Sequence, residues 1–190
     1  MAPDVEQMHV VNHLTGEVSE GESRNVLMEA ARIARGDIVD IAKVNGEELD
    51  ALIFPGGFGA AKNLCDFAVR RKDCEVHPEV LRLTREIMGA NKPVGVVCIA
   101  PTLMAKVMED SEKSVDLTIG TDEETAAAIE NMGASHISCS VREFVVDKEN
   151  KVVSTPAYML ANRISEAADG IERLVHEVLA LIVEPSEAVD

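Results

Sequence analysis

Short apolar runs alternate along the chain with longer segments in which apolar residues recur every third or fourth position. The short runs have the length and β-branched content of buried strands, and they lie at 50–54, 93–97 and 115–120. The longer segments are typical of helices with one buried face, and they lie at 78–88, 99–109 and 121–133. This alternation predicts a single α/β domain at 1–183 with a mostly parallel sheet, followed by a frayed tail at 184–190.

The remaining segments are assigned from their turn and capping residues. Residues 1–22 contain scattered glycine and proline, which predicts a loop with at most a brief strand. One helix is expected to begin at an N-cap, Ser23, and to end at Gly36, and another to begin at a capping box formed by Thr121 and Glu124. The other predicted elements are a helix at 60–69, a strand at 136–141, a hairpin at 144–154 and a final helix whose apolar stripe runs from 164 to 182.

Composition narrows the possible functions. Asp and Glu total 34 against 18 Lys and Arg, and the formal net charge of −16 repels nucleic-acid phosphates and anionic membranes. Aromatic residues make up only 3% of the chain, so a surface on which bases stack is not expected. No apolar run has the length of a membrane span, and the first residues do not resemble a signal peptide. We therefore expect a soluble, cytoplasmic protein whose partner is a small molecule and neither nucleic acid nor a membrane.

The four cysteines have no spacing typical of a metal site or a disulfide framework. Cys65, Cys74, Cys98 and Cys139 form no C-x-x-C motif and have no paired histidines nearby. We expect no bound metal and a reducing compartment.

Cys98 has the most informative position, because it follows the strand at 93–97 and precedes a predicted helix. A sharp strand-to-helix corner pushes its side chain outward and leaves the next backbone N–H free to bind an oxyanion. The N-terminus of the helix also favours thiolate over thiol. The alternative is a buried and inert cysteine, which is the commoner role of a free cysteine.

A glycine-rich turn, Pro55-Gly-Gly-Phe-Gly59, follows the strand at 50–54. Its glycines permit backbone conformations and close approaches that a side chain would prevent. Neither the G-x-G-x-x-G nor the Walker pattern is present, so a turn that contributes to the Cys98 site is more plausible than a nucleotide site.

Seven motifs occur in order along the chain: Gln7-Met-His-Val10, Ser23-Arg-Asn-Val26, Ala31-Arg-Ile-Ala-Arg-Gly36, Pro55-Gly-Gly-Phe-Gly-Ala-Ala-Lys-Asn-Leu64, Cys98-Ile-Ala-Pro101, Thr118-Ile-Gly-Thr121 and Thr155-Pro-Ala-Tyr-Met159. Together they resemble one known family, the enhancing-lycopene-biosynthesis (ElbB-type, isoprenoid biosynthesis glyoxalase) family of the PfpI-like, class I glutamine amidotransferase-like superfamily. The resemblance implies a flavodoxin-like three-layer sandwich and a weak glyoxalase activity that needs no cofactor. It also implies a homodimer, with a bacterial-like cytoplasmic location or, for an animal source, a mitochondrial one.

The resemblance implies roles for particular residues. Cys98 would be the nucleophile, and the N–H groups of Gly57 and Ile99 would form the oxyanion hole. Four further residues are expected to border the pocket: Gly56, Asn63, Thr155 and Pro156.

Two features depart from the superfamily pattern. Cys98 is followed by Ile99 where many members have histidine, and no late His-x-Glu motif is present, which argues against amidotransferase and cysteine-peptidase activity. Family members also begin with a strand–helix–strand unit before the segment that here starts at Ala2. That unit carries a glutamate expected to hydrogen-bond the nucleophilic sulfur. We therefore expect this chain to be an N-terminally shortened form.

Two functions remain open from the sequence. The first is a glyoxalase that converts glyoxal or methylglyoxal to a 2-hydroxy acid through Cys98. The second is a non-catalytic member of the same fold, linked to isoprenoid biosynthesis, whose cysteine senses oxidants. The resemblance favours the enzyme, whereas the absent glutamate favours the sensor.

Overall fold

A four-stranded sheet is the middle layer of the computed structural model, which describes residues 1–183. The strands are β1 (Val11–Asn12), β2 (Glu17–Val18), β3 (Leu52–Phe54), β4 (Val94–Val97), β5 (Asp116–Leu117), β6 (Ser135–His136), β7 (Val145–Asp147) and β8 (Val152–Thr155). The α-helices are α1 (Val26–Ile33), α2 (Phe67–Arg70), α3 (Pro78–Gly89), α4 (Ala100–Met108), α5 (Glu123–Asn131) and α6 (Ile164–Val183).

The main sheet has the order β3-β4-β8-β7. Strands β3, β4 and β8 are parallel, whereas β7 is antiparallel to β8. The predicted hairpin therefore forms one antiparallel edge of a mostly parallel sheet. Two small pairs lie outside it, the antiparallel β1-β2 hairpin and the parallel β5-β6 pair.

Helices cover both faces of the sheet, which confirms the predicted α/β sandwich. On one face, α6 packs through Leu174 and Val178 against Val97 and Val153. On the other, Val94, Val96 and Val152 pack with the buried residues of α3 and α4. Neighbouring residues of β4 and β8 point to opposite faces and are all buried, so both strands are covered on both sides, which the apolar run of β4 predicts.

The structure corrects the predicted starts of two helices. Asn25, not Ser23, is the N-cap of α1, because its side chain accepts the Met28 N–H at 3.0 Å. Asp122, not Thr121, caps α5 by accepting the Thr125 N–H at 2.9 Å. Asparagine and aspartate satisfy free N–H groups at a helix start as well as Ser or Thr does, so composition alone does not choose between adjacent candidates.

The predicted helix at 60–69 is interrupted. A π-helical turn at Ala60–Leu64 ends at Cys65, which pairs with Val76 as an antiparallel bridge before α2 begins. The Asp66 carboxylate also accepts the Glu75 N–H at 2.6 Å, which holds the break open. These contacts come from residues distant in sequence and override the local helical spacing.

The predicted strand at 136–141 is much shorter than expected, because only Ser135–His136 pairs with β5. The predicted tail at 184–190 lies outside the described residues. Among residues 1–183, no helix combines the length and hydropathy needed to cross a membrane.

Candidate functional site

Cys98 lies at the corner between β4 and α4 with a backbone φ of +62°. Positive φ is uncommon for a residue other than glycine and costs of order 1–3 kcal/mol, so the surrounding structure must hold it. The Cys98 N–H donates to the Thr155 carbonyl at 2.9 Å, which ties the corner to the end of β8. The thiol is partly exposed at this corner.

Helix α4 fixes the other side of the corner. Ile99 is its N-cap residue, and Pro101 occupies the first turn, where a missing N–H costs nothing. Thr102 donates to the Ile99 carbonyl through both its backbone N–H, at 3.1 Å, and its hydroxyl, at 2.8 Å. Because the first turn of α4 is buried, the position of Cys98 is set by the core.

The glycine turn packs directly against this corner. A Cβ atom at Gly56 would lie 2.3 Å from the Val97 carbonyl oxygen and 3.0 Å from the Cys98 Cβ. Gly56 therefore contacts the strand that carries Cys98, and its φ of +82° is one that side chains rarely adopt. Gly57 also has a positive φ, +81°, but no atom lies within 4 Å of its Cβ position.

Two residues in the lining of the cavity at Cys98 have backbone N–H groups without a protein acceptor in the described chain. Gly57 and Ile99 line the same cavity as Cys98. Across residues 1–183, neither N–H donates to a protein acceptor. Free N–H groups beside a nucleophile are the arrangement that stabilises a developing oxyanion.

The cavity has a volume of about 460 Å³ and mostly apolar walls. Three aromatic side chains, Phe58, Phe67 and Tyr158, line it together with Met159 and Arg71. The whole chain has only four phenylalanines and one tyrosine, so the aromatic residues are concentrated here. Sequence reasoning missed these walls, although the position of Phe58 within the glycine turn and the rarity of aromatics were available signals.

The four residues expected to border the pocket lie in different places. Gly56 packs against the corner and lines a different cavity from that of Cys98. The buried Thr155 donates its hydroxyl to the Glu143 carbonyl at 2.8 Å. Pro156 begins the turn that carries Tyr158 and Met159 into the cavity wall. Asn63 lines a second cavity, and its side chain accepts the Met8 N–H at 2.8 Å.

The electrostatics of the cavity are simple. Among residues 1–183, Arg71 is the single charged residue that lines the cavity. This lining contains no His, Asp or Glu. The Arg71 guanidinium lies over the Phe67 ring at 5.8 Å and pairs with Glu124 at 3.3 Å. Within residues 1–183, no cluster of three His, Cys, Asp or Glu side chains could hold a metal ion.

Comparison with known proteins identifies relatives that match nearly the whole chain. The chain is 51% identical to the mitochondrial ES1 protein homolog of Rattus norvegicus over 95% of its own length and 70% of the relative's. It is 51% identical to the mitochondrial glutamine amidotransferase-like class 1 domain-containing protein 3 of Homo sapiens, covering 95% and 69%. The mitochondrial ES1 protein of Danio rerio is 32% identical, with coverage of 95% and 72%. No family model matches the chain.

Two solved structures share the fold. An isoprenoid biosynthesis protein with an amidotransferase-like domain from Ehrlichia chaffeensis superposes with a TM-score of 0.84 at 35% identity, covering 94% of this chain and 80% of the other. The Rapid Encystment Protein 24 KDa of Francisella tularensis superposes with a TM-score of 0.51 at 17% identity, over 74% and 63% of the two chains. At that identity the second similarity concerns the fold alone.

The sandwich and the cysteine corner thus define a protein of the class I glutamine amidotransferase-like superfamily. Within that class, the chain belongs to the family of the ES1 proteins and glutamine amidotransferase-like class 1 domain-containing protein 3.

Proposed function

We propose that the chain converts a small dicarbonyl compound to a 2-hydroxy acid through Cys98, without a cofactor. The observation that carries the proposal is the strained corner that holds the Cys98 thiol beside the unpaired N–H groups of Gly57 and Ile99. The ElbB-type motifs support the same activity. A strained backbone at a partly exposed nucleophile is a common feature of functional sites.

The chemistry follows from these groups. The Cys98 thiolate adds to an aldehyde carbon, and the two N–H groups stabilise the resulting alkoxide. A proton leaves that carbon and a proton is added to the neighbouring carbonyl carbon, which gives a thioester of a 2-hydroxy acid. Water then hydrolyses the thioester and restores the thiol. The net reaction adds one water to the dicarbonyl, so no oxidant or reductant is consumed.

The direct test is formation of glycolate from glyoxal, or lactate from methylglyoxal, by the purified chain. We expect Cys98→Ala to reduce the rate to that of the reaction without protein. Cys139→Ala is the matched control, because Cys139 is similarly partly exposed but lies outside the cavity lining, and it should retain the wild-type rate. Equal rates for the wild type and Cys98→Ala would contradict the proposal.

A second candidate function is a redox sensor of the same fold. It is favoured by the lining of the described cavity, which contains no His, Asp or Glu to move the proton between the two carbons. Hydrogen peroxide would oxidise the Cys98 thiolate to a sulfenic acid and release hydroxide. Sulfenic-acid labelling at Cys98 under micromolar peroxide, without turnover of any dicarbonyl, would support the sensor.

We also propose a family branch, a biosynthetic link and a cellular location for the chain. Membership of the ElbB-type branch and a link to isoprenoid biosynthesis are supported by the motifs and by the description of the Ehrlichia chaffeensis protein. A mitochondrial location, for an animal source, is supported by the mitochondrial relatives of rat, human and zebrafish. Fractionation of cells from the source organism tests the location.

A further inference from the structure

The cavity at Cys98 is much larger than glyoxal requires. Its volume of about 460 Å³ falls within the range of about 300–1,000 Å³ that is typical of sites for whole small molecules. Glyoxal has only two carbons and two oxygens, so it would leave most of this space to water.

The walls of the cavity suit an apolar group. Ile99 and Met159 are aliphatic and flexible neighbours of the thiol, and Phe58, Phe67 and Tyr158 provide aromatic surface. A bound apolar substituent would remove the exposed surfaces of Phe58 and Tyr158 from water, which is favourable by an amount proportional to the buried area. The flexible thioether of Met159 also adapts to substituents of different shape.

Arg71 is part of the cavity wall and already has partners for its guanidinium group. Its guanidinium lies on the Phe67 ring, and its charge is met by Glu124. The rest of the lining in the described chain contains no Lys, His, Asp or Glu. The cavity therefore lacks a charged group dedicated to a carboxylate or phosphate on the substrate.

We propose that the preferred substrate is a 2-oxoaldehyde with an uncharged alkyl or aryl substituent larger than methyl, whose aldehyde lies at Cys98 and whose substituent fills the apolar cavity. This inference rests on the proposed function and specifies its substrate class. The substituent is held by Phe58, Tyr158 and Met159, which makes these residues determinants of specificity.

The test compares methylglyoxal with 2-oxohexanal, which differ by three methylene groups. Each buried methylene raises kcat/KM by roughly three- to fourfold, so we expect a preference of at least about tenfold for 2-oxohexanal. Met159→Ser and Phe58→Ser should each reduce this preference several-fold. Val69→Ser is the matched control, because Val69 is an exposed apolar residue of α2 outside the lining, and it should leave the preference unchanged. Equal kcat/KM for the two substrates would overturn the proposal.

A binding measurement separates this proposal from the proposed function. Unreactive 2-alkanones of increasing chain length should slow the alkylation of Cys98 by iodoacetamide, and longer chains should protect at lower concentration. If longer 2-alkanones protect Cys98 better but no dicarbonyl is turned over, the glyoxalase function is contradicted and the apolar binding site is still supported. Protection that is absent or independent of chain length would overturn the pocket whether or not dicarbonyls are turned over.

Discussion

The four cysteines differ mainly in their access to solvent. Cys65 and Cys74 are buried, whereas Cys98 and Cys139 are partly exposed. Burial raises the pKa of the Cys139 thiol, and the thiolate is the reactive form of cysteine. A hydrogen bond from Cys65 lowers the pKa of Cys74, but Cys74 has no surface exposed to a reagent in solution. Burial thus counts against Cys65 and Cys74, and the raised pKa counts against Cys139, so we expect Cys98 to be the most reactive thiol.

We predict that iodoacetamide at mildly acid pH alkylates Cys98 before the other cysteines. Peptide mapping by mass spectrometry after short reaction times gives the order of labelling. Cys98→Ser should abolish the fast phase and leave the slower modification of the other cysteines unchanged. Earlier labelling of Cys74 would count strongly against the assignment of Cys98 as the nucleophile.

His136 makes stability depend on pH near neutrality. Burial lowers its pKa below the ordinary value, and its Nε2 accepts the Ile119 N–H at 3.4 Å, which requires the neutral ring. The unfolded chain therefore binds a proton at higher pH than the folded chain does, and the free energy of unfolding must fall as pH drops below about 6.5.

We predict that His136→Gln reduces the loss of stability between about pH 7.5 and about pH 5.5, because it removes the group that titrates in this window. Urea unfolding at the two pH values measures the difference. His13→Gln, in the exposed turn after β1, is the control and should keep the wild-type dependence. An unchanged dependence in His136→Gln would mean that other groups account for it.

At the scale of elements, the glycine turn and the cysteine corner form one unit. Both lie at the carboxyl ends of adjacent parallel strands, β3 and β4, where ligand sites of open α/β sheets are found. The contact between Gly56 and the Val97 carbonyl fixes the distance between the two elements. The two glycines therefore have different roles, since Gly56 packs against the end of β4 and Gly57 faces open space.

We predict that Gly56→Ala destabilises the protein far more than Gly57→Ala. Both substitutions impose a left-handed conformation on alanine, which costs about 1–2 kcal/mol. Gly56→Ala must also displace the end of β4, for a further cost of about 1–3 kcal/mol. Chemical denaturation measures both variants, and equal destabilisation would show that the turn does not press on the corner.

The corner itself could be predicted from sequence, whereas the parts of the cavity wall formed by Phe67 and Tyr158 could not. The run of apolar residues before Cys98 and the proline at Pro101 are local signals of a strand and a helix start. Phe67 reaches the cavity because the pairing of Cys65 with Val76 breaks the preceding helix, and that pairing is not local. Tyr158 follows Ala157, which has a φ of +44°. An alanine in the sequence does not indicate a positive φ, so this turn could not be predicted. Positions set by contacts between distant segments are invisible to patterns of neighbouring residues.

At the scale of the molecule, apolar side chains remain on the surfaces of two helices. Met28 and Ile33 of α1 and Leu179 of α6 are exposed, and Ile33 is 89% accessible.

We predict that the chain forms a homodimer that buries part of this surface. Sedimentation at micromolar concentration should give twice the monomer mass of 20.5 kDa. If α1 contributes to the dimer interface, replacing both Met28 and Ile33 by glutamate should shift the equilibrium towards monomer. A wild type that sediments only as a monomer would refute the dimer.

Strand β3 forms one edge of the main sheet. Within the described chain, β3 has a ladder partner on one side, β4. Its Ile53 is 38% exposed, which is unusual for an apolar strand residue in a parallel sheet. A cavity of about 550 Å³ separates this edge from Ala2, Pro3 and α1. Ala2, which lines this cavity, pairs in parallel with Asp40.

We therefore predict that adding the strand–helix–strand unit implied by the resemblance before Ala2 stabilises the protein and increases dicarbonyl turnover. A strand along β3 would pair the open N–H and C=O groups and cover Ile53, which should raise the melting temperature by several degrees. The glutamate of that unit would supply the carboxylate that the cavity lacks. The same extension with this glutamate changed to glutamine should raise the melting temperature without raising the rate. If the extended and unextended chains melt alike and turn over alike, β3 is a true edge of the sheet, and the proton-transfer group must be sought within residues 1–183.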